Sequence, residues 1–180
     1  MLLLAFAAAI FAVPAAMVAI AVRLTSPGPV LYWSERVGRG NRIFLMPKFR
    51  TMRVGTPALA SHLLGEPDAV LTRIGGLLRK TSLDELPQLW SVLRGDMTFV
   101  GPRPALFNQD DLIAMRTEVE VHRLKPGITG WAQVKGRDSL SVAEKVELDR
   151  YYLEHRNLSF DIHILARTVV KLFGDRSVSH

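Results

Sequence analysis

Asp84 and Glu85 stand side by side in Arg79-Lys80-Thr81-Ser82-Leu83-Asp84-Glu85-Leu86-Pro87-Gln88-Leu89-Trp90, with two cations just ahead of them. A carboxylate can attack a phosphoryl centre and form an acyl phosphate, and a neighbouring carboxylate can take a proton. The same pair can also be purely structural. Ser82 and Glu85 have capping-box spacing, and acids at a helix start are favoured by the helix dipole. Pro87 suits the first position of a helix. The helix therefore begins either at Ser82, with a strained first turn, or at Pro87, with both acids just before it.

Cations cluster around turns elsewhere. Lys48-Phe49-Arg50-Thr51-Met52 puts two of them around an aromatic ring, which suits either phosphate or a solvated strand face. Gly101-Pro102-Arg103-Pro104 is a stiff turn that presents Arg103 at low entropic cost, as a bidentate phosphate contact requires. Lys135-Gly136-Arg137 is another cationic glycine turn. Lys48, Arg79, Arg103 and Arg137 are thus the candidate clamp for substrate phosphates. Each is an ordinary surface charge if no phosphate binds.

Composition narrows the chemistry. The 180 residues fit one domain, and a formal charge of +6 favours anionic partners. Nucleic acid is a poor match, because the basic residues sit around glycine turns rather than along a helix. The absence of cysteine excludes disulfides, thiolate catalysis and Cys-based zinc sites. The five histidines show no metal-ligand spacing.

Leu2 to Val22 contains no charged residue and is long enough to span a hydrocarbon core, which needs roughly 20 residues. No positive n-region precedes it, so it does not read as a signal peptide. Pro14 lies near its centre and predicts a kink. A spanning helix and a helix–break–helix that enters one leaflet and returns both stay open. A buried soluble helix is the third possibility. From Arg23 to Arg53 there are seven basic residues and one acidic residue, a flank that reads as cytoplasmic. The expected organisation is a membrane-inserted helix–break–helix over 1–24 and a cytoplasmic catalytic domain over 25–180.

Further along, Val30–Trp33 and Arg42–Phe49 read as strands joined by a glycine-bearing turn. Residues 54–71 read as a surface loop. Helices are expected over Leu71–Arg79, Pro104–Val119, Ser141–Arg156 and Asp161–Phe173. Gly75-Gly76 weakens the first of these or lets another backbone approach. Asp110 and Asp111 should be exposed. Thr98–Val100 and Trp131–Val134 read as strands, and Pro126-Gly127 as a type II turn. On the last helix, Ile164, Leu165, Val169, Leu172 and Phe173 suit either the core or a membrane interface. The elements read as an α/β fold, mostly α with a few short strands.

Four stretches in order resemble one family: Lys48-Phe49-Arg50-Thr51-Met52, Ser82-Leu83-Asp84-Glu85-Leu86-Pro87-Gln88-Leu89, Arg94 to Pro104, and Pro126 to Val134. They are similar to the bacterial sugar transferases, the monotopic phosphoglycosyl transferases, and the resemblance covers nearly the whole chain. It implies transfer of a phosphosugar from a UDP-sugar to polyprenyl (undecaprenyl) phosphate at the bacterial inner membrane. UMP leaves, and synthesis of a surface glycan such as O-antigen, capsule or exopolysaccharide begins. It also implies a small globular domain with a re-entrant N-terminal helix and interfacial helices, Mg²⁺ as cofactor, Asp84 as covalent nucleophile that could also touch the metal, and Glu85 as catalytic partner. Two features depart from the pattern. The chain starts directly at Met1-Leu2 without a charged, aromatic lead-in, and the break is Val13-Pro14 rather than Ser-Pro. A non-catalytic membrane-anchored scaffold for anionic lipids would need the apolar segment and the cations, but not Asp84 and Glu85.

Overall fold

The computed structural model describes the backbone of residues 2–57, 67–136 and 139–174, and the side chains of 12–57, 69–136 and 139–171. Seven α-helices and four short strands lie among the described residues, a mostly helical α/β fold. The chain forms two compact units: Met1–Ser34 with Leu45–Trp90, and Glu35–Phe44 with Ser91–His180. Strands β1 (Leu31–Val37) and β2 (Ile43–Phe49) pair in a two-stranded sheet where strands were expected over Val30–Trp33 and Arg42–Phe49, the first running four residues further.

The first unit is built on α1 (Leu2–Thr25). Pro14 lies inside it, and the helix continues from Leu2 to Thr25 as one element. A long helix tolerates the single lost hydrogen bond. Val18 and Val22 face inward onto Phe49, Leu78, Leu83 and Leu86. Val13, Met17, Ile20 and Leu24 form an exposed apolar stripe on the same helix. Among the described residues, no helix is long and apolar enough to cross a membrane; the side chains of 2–11 lie outside that description.

The helix expected over Leu71–Arg79 starts later, as α2 (Gly75–Thr81). The preceding backbone is drawn into pairing with the end of β2: Met52 bridges Leu71, and the Thr72 amide donates to Thr51 O at 2.9 Å. Gly75 permits this. A Cβ there would collide with the Thr51 carbonyl. Part of the expected loop over 54–71 lies outside the described residues.

The second unit has two apolar cores. One joins Val100, Leu124, Tyr152 and Ile164 with Trp131 and Phe160; the other joins Ala105, Leu112 and Val146 with Val37 and Val142. Strand β3 (Thr98–Val100) pairs in parallel with β4 (Gly127–Thr129), Thr98 opposite Gly127 and Val100 opposite Thr129. The expected type II turn at Pro126-Gly127 is therefore a strand start. Gly127 serves close packing rather than a positive φ, since a Cβ there would strike the Gly101 amide. Trp131–Val134, expected as a strand, is helix α5 (Trp131–Lys135). A four-residue apolar run carries too little periodicity to choose, and Trp131 packs edge-on to Phe160 at 5.0 Å.

The helix expected from Pro104 begins only at Asp110, as α4 (Asp110–Glu118). Residues 104–106 bond elsewhere: Val37 N donates to Ala105 O, and Leu106 N donates to Gln109 Oε1. Asp110 and Asp111 are exposed as expected. Helix α6 (Val142–His155) opens with a complete capping box between Ser141 and Glu144. Helix α7 (Leu158–Gly174) buries Ile164 completely and exposes Ile162, Leu165, Val169 and Val170. The side chains of Leu172 and Phe173 lie outside the described residues.

Candidate active site

Asp84 and Glu85 lie in the first turn of a helix that follows Ser82, the first of the two starts that the sequence allowed. They occupy a 3-10 helix, Leu83–Gln88, which contains Pro87 and leads into α3 (Leu89–Arg94). Ser82 closes α2 in a left-handed conformation at φ 55° and makes no side-chain cap. The capping box expected at Ser82 and Glu85 is thus absent. A residue in the left-handed region ends one helix and swings the chain into the next. Ser82 N bonds back to Arg79 O at 3.3 Å.

This geometry separates the two acids. With about three residues per turn, neighbours on a 3-10 helix point roughly 120° apart. Asp84 is buried, at 7% exposure. Glu85 pairs with Lys48 at the end of β2, Nζ to Oε1 3.1 Å. Leu83 and Leu86 anchor the turn against Val18 and Val22 of α1. Arg79 lies in the last turn of α2, with Nη2 3.9 Å from the Met52 sulfur. The first unit therefore holds Lys48, Arg79, Asp84 and Glu85. Arg103 belongs to the second unit, and Arg137 lies outside the described residues.

Arg50, the other cation of the Lys48-Phe49-Arg50 stretch, has a structural task. It is buried and reaches the end of α1, where its guanidinium donates to the Pro27 carbonyl, the Ser26 carbonyl at 3.0 Å and Ser26 Oγ at 2.8 Å. A helix C-terminus leaves carbonyls without intrahelical partners, and a cation is well placed there.

In the second unit, Arg103 lines a cleft with Gly38, Asn41, Arg116 and His122. Two residues of this unit escaped the sequence reading, Arg116 in the cleft and Asp149 behind it. Arg116 Nε and Nη2 donate to Asp149 Oδ2 at 3.0 and 2.6 Å, and Arg116 Nη1 donates to Arg103 O at 2.8 Å. Burial pushes the Asp149 carboxyl up, and Arg116 opposes that shift. The signal that could have found Asp149 is its place between Val146 and Tyr152, an acid on the apolar stripe of α6.

Among the described residues, no three His, Asp or Glu side chains gather as a metal cluster. Mg²⁺ needs fewer protein ligands, because it keeps waters and takes one or two carboxylates with substrate phosphates. Asp84 fits that donor set.

Comparison with known proteins agrees with the motif pattern. A model of the bacterial sugar transferase family matches residues 1–175. An uncharacterized sugar transferase of Bacillus subtilis, EpsL, is 42% identical over 160 residues, covering 87% of this chain and 76% of that protein. The UDP-glucose:undecaprenyl-phosphate glucose-1-phosphate transferase of Xanthomonas campestris is 39% identical, covering 89% of this chain and 35% of that protein. A UDP-N-acetylgalactosamine-undecaprenyl-phosphate N-acetylgalactosaminephosphotransferase of Aeromonas hydrophila is 37% identical, covering 88% and 39%. The chain thus spans most of the Bacillus protein and little more than a third of the other two. It belongs to the bacterial sugar transferase family.

Proposed function

We propose that this chain transfers a phosphosugar from a UDP-sugar to polyprenyl phosphate through a covalent intermediate on Asp84. The observation that carries this reading is a buried Asp84 in the first turn of a 3-10 helix, next to a Glu85 that Lys48 engages. Two roles need two environments. The family membership and the named activities of the relatives support the same substrates.

In the first half-reaction, an Asp84 carboxylate oxygen bonds to the β-phosphorus of the donor. The bond from that phosphorus to the bridging oxygen breaks, and UMP leaves with the electron pair. In the second, an oxygen of polyprenyl phosphate bonds to the same phosphorus. The Asp84–phosphorus bond breaks, and the carboxylate is regenerated. Glu85 takes the proton released by the acceptor phosphate, whose second pKa is about 6. Lys48 and Arg79, in the same unit as Asp84, supply cationic charge toward the diphosphate, and Arg103 and Arg137 are further phosphate ligands expected from their sequence motifs. Asp84 and the donor's phosphate oxygens would hold Mg²⁺, which would supply further charge neutralisation there.

The reading places the protein at the inner membrane, with its catalytic part facing the cytoplasm and acting at the start of surface-glycan assembly. The exposed apolar stripes of α1 and α7 support contact with lipid. The test is Asp84→Asn in full-length chain with labelled UDP-sugar, polyprenyl phosphate and Mg²⁺. The expected result is loss of UMP release and of label retained on the protein. Normal turnover by that variant would sink the covalent mechanism, and a scaffold would release no UMP even as wild type.

A further inference from the structure

Four consecutive carbonyls, from Pro102 to Ala105, are each held by a donor. Gly127 N donates to Pro102 O at 2.9 Å, and Val37 N donates to Ala105 O at 3.0 Å. Between them, Arg116 Nη1 donates to Arg103 O at 2.8 Å, and Arg36 Nη1 donates to Pro104 O at 3.1 Å. Prolines on both sides of Arg103 already restrict the backbone. A turn this fully restrained leaves its central side chain one place to start from.

Arg116 is itself fixed. Two of its nitrogens converge on one oxygen of Asp149, and the Asp149 side chain is only 2% exposed. A buried ion pair is a poor way to gain stability, since apolar residues of similar size often do as well. The guanidinium fork does offer direction. It bonds Asp149 with one edge and the Arg103 carbonyl with another nitrogen, which a lysine ammonium could not reproduce.

We infer that Arg116, oriented by Asp149, is a positioning residue that sets where the Arg103 guanidinium meets the donor diphosphate. This rests on the reading of Arg103 as a phosphate ligand. The chain of effect runs from the buried Asp149 through Arg116 to a backbone carbonyl, and from there to the side chain that touches substrate.

A double-mutant cycle on the full chain tests it, with UMP release measured against polyprenyl phosphate. The donor is whichever of UDP-glucose, UDP-galactose and UDP-N-acetylgalactosamine the wild type turns over fastest. Arg103→Ala and Arg116→Lys should each lower kcat/KM roughly tenfold or more, chiefly through KM for the donor. In the Arg103→Ala background, Arg116→Lys should change kcat/KM no further, while still lowering the melting temperature as it does alone. Losses that multiply would overturn the inference and leave Arg103 as a ligand. Normal turnover by Arg103→Ala would remove that ligand reading and the inference with it. If Arg116→Lys does not fold, Asp149→Asn replaces it in the same cycle with the same expected outcome.

Discussion

Lys48 Nζ lies 3.1 Å from Glu85 Oε1, and the two side chains are only 14% and 13% exposed. The contact ties the end of β2 to the 3-10 turn and fixes which way Glu85 faces. A proton acceptor held this way needs no reorganisation when the acceptor phosphate arrives.

Glu85→Gln should therefore lower transfer by roughly 100-fold or more, as the loss of a general base does. Lys48→Met removes a cation paired with the nearly buried Glu85 and should cost about 3 kcal/mol of folding stability. The variant carrying both changes should regain much of that stability and none of the activity. Urea denaturation in detergent and UMP release check the two halves separately. Equal stability in the single and double variants would show that the pair is not coupled.

Arg50 makes a second prediction. Arg50→Met withdraws the donors that hold the Ser26 and Pro27 carbonyls at the end of α1. Hydrogen bonds to charged groups contribute about 1.5–3 kcal/mol each, so a loss of about 3 kcal/mol is expected. Arg50→Lys should recover only part of it, because one ammonium replaces a two-armed fork. Limited proteolysis between residues 25 and 30 should report the loosened connection first, with chemical denaturation giving the magnitude.

Helix α6 supplies a prediction with pH. The Ser141 hydroxyl, and next its backbone amide, hold the Glu144 carboxyl below its ordinary value of 4.5. A folded value lower than the unfolded one gives stability that is complete above pH 4.5 and fades as pH falls through the folded value. Ser141→Ala should cost about 1 kcal/mol at pH 7, as other lost helix caps do. Its deficit against wild type should shrink below pH 4.5. A deficit constant from pH 3 to 7 would show that the carboxylate plays no part.

Much of this was legible in the chain, and the boundary between legible and illegible is physical. The β1–β2 pair, the capped α6 and the exposed Asp110 and Asp111 follow from two apolar runs around a glycine turn, capping chemistry and polarity. The acid pair was visible as a motif, but its 3-10 geometry was not. Ser82 could have capped a helix, and only its left-handed backbone removes that option. Pro104 looked like a helix start because no local rule announces that Val37 and Arg36 will take its neighbourhood's carbonyls. The Arg116–Asp149 pair is separated by 33 positions, beyond any spacing rule. Gly127 was seen correctly as special and for the wrong reason, since a close approach by Gly101 leaves no mark on the sequence near it.

The 3-10 helix at Leu83–Gln88 also bears on how this stretch can change over time. Its side chains advance by a third of a circle per residue. A substitution at Leu83 or Leu86 alters one packing contact. An insertion or deletion between Ser82 and Asp84 turns both carboxylates by about 120° and sends each where the other pointed or where neither did. Variation here should therefore accumulate as changes of side chain and almost never as changes of length.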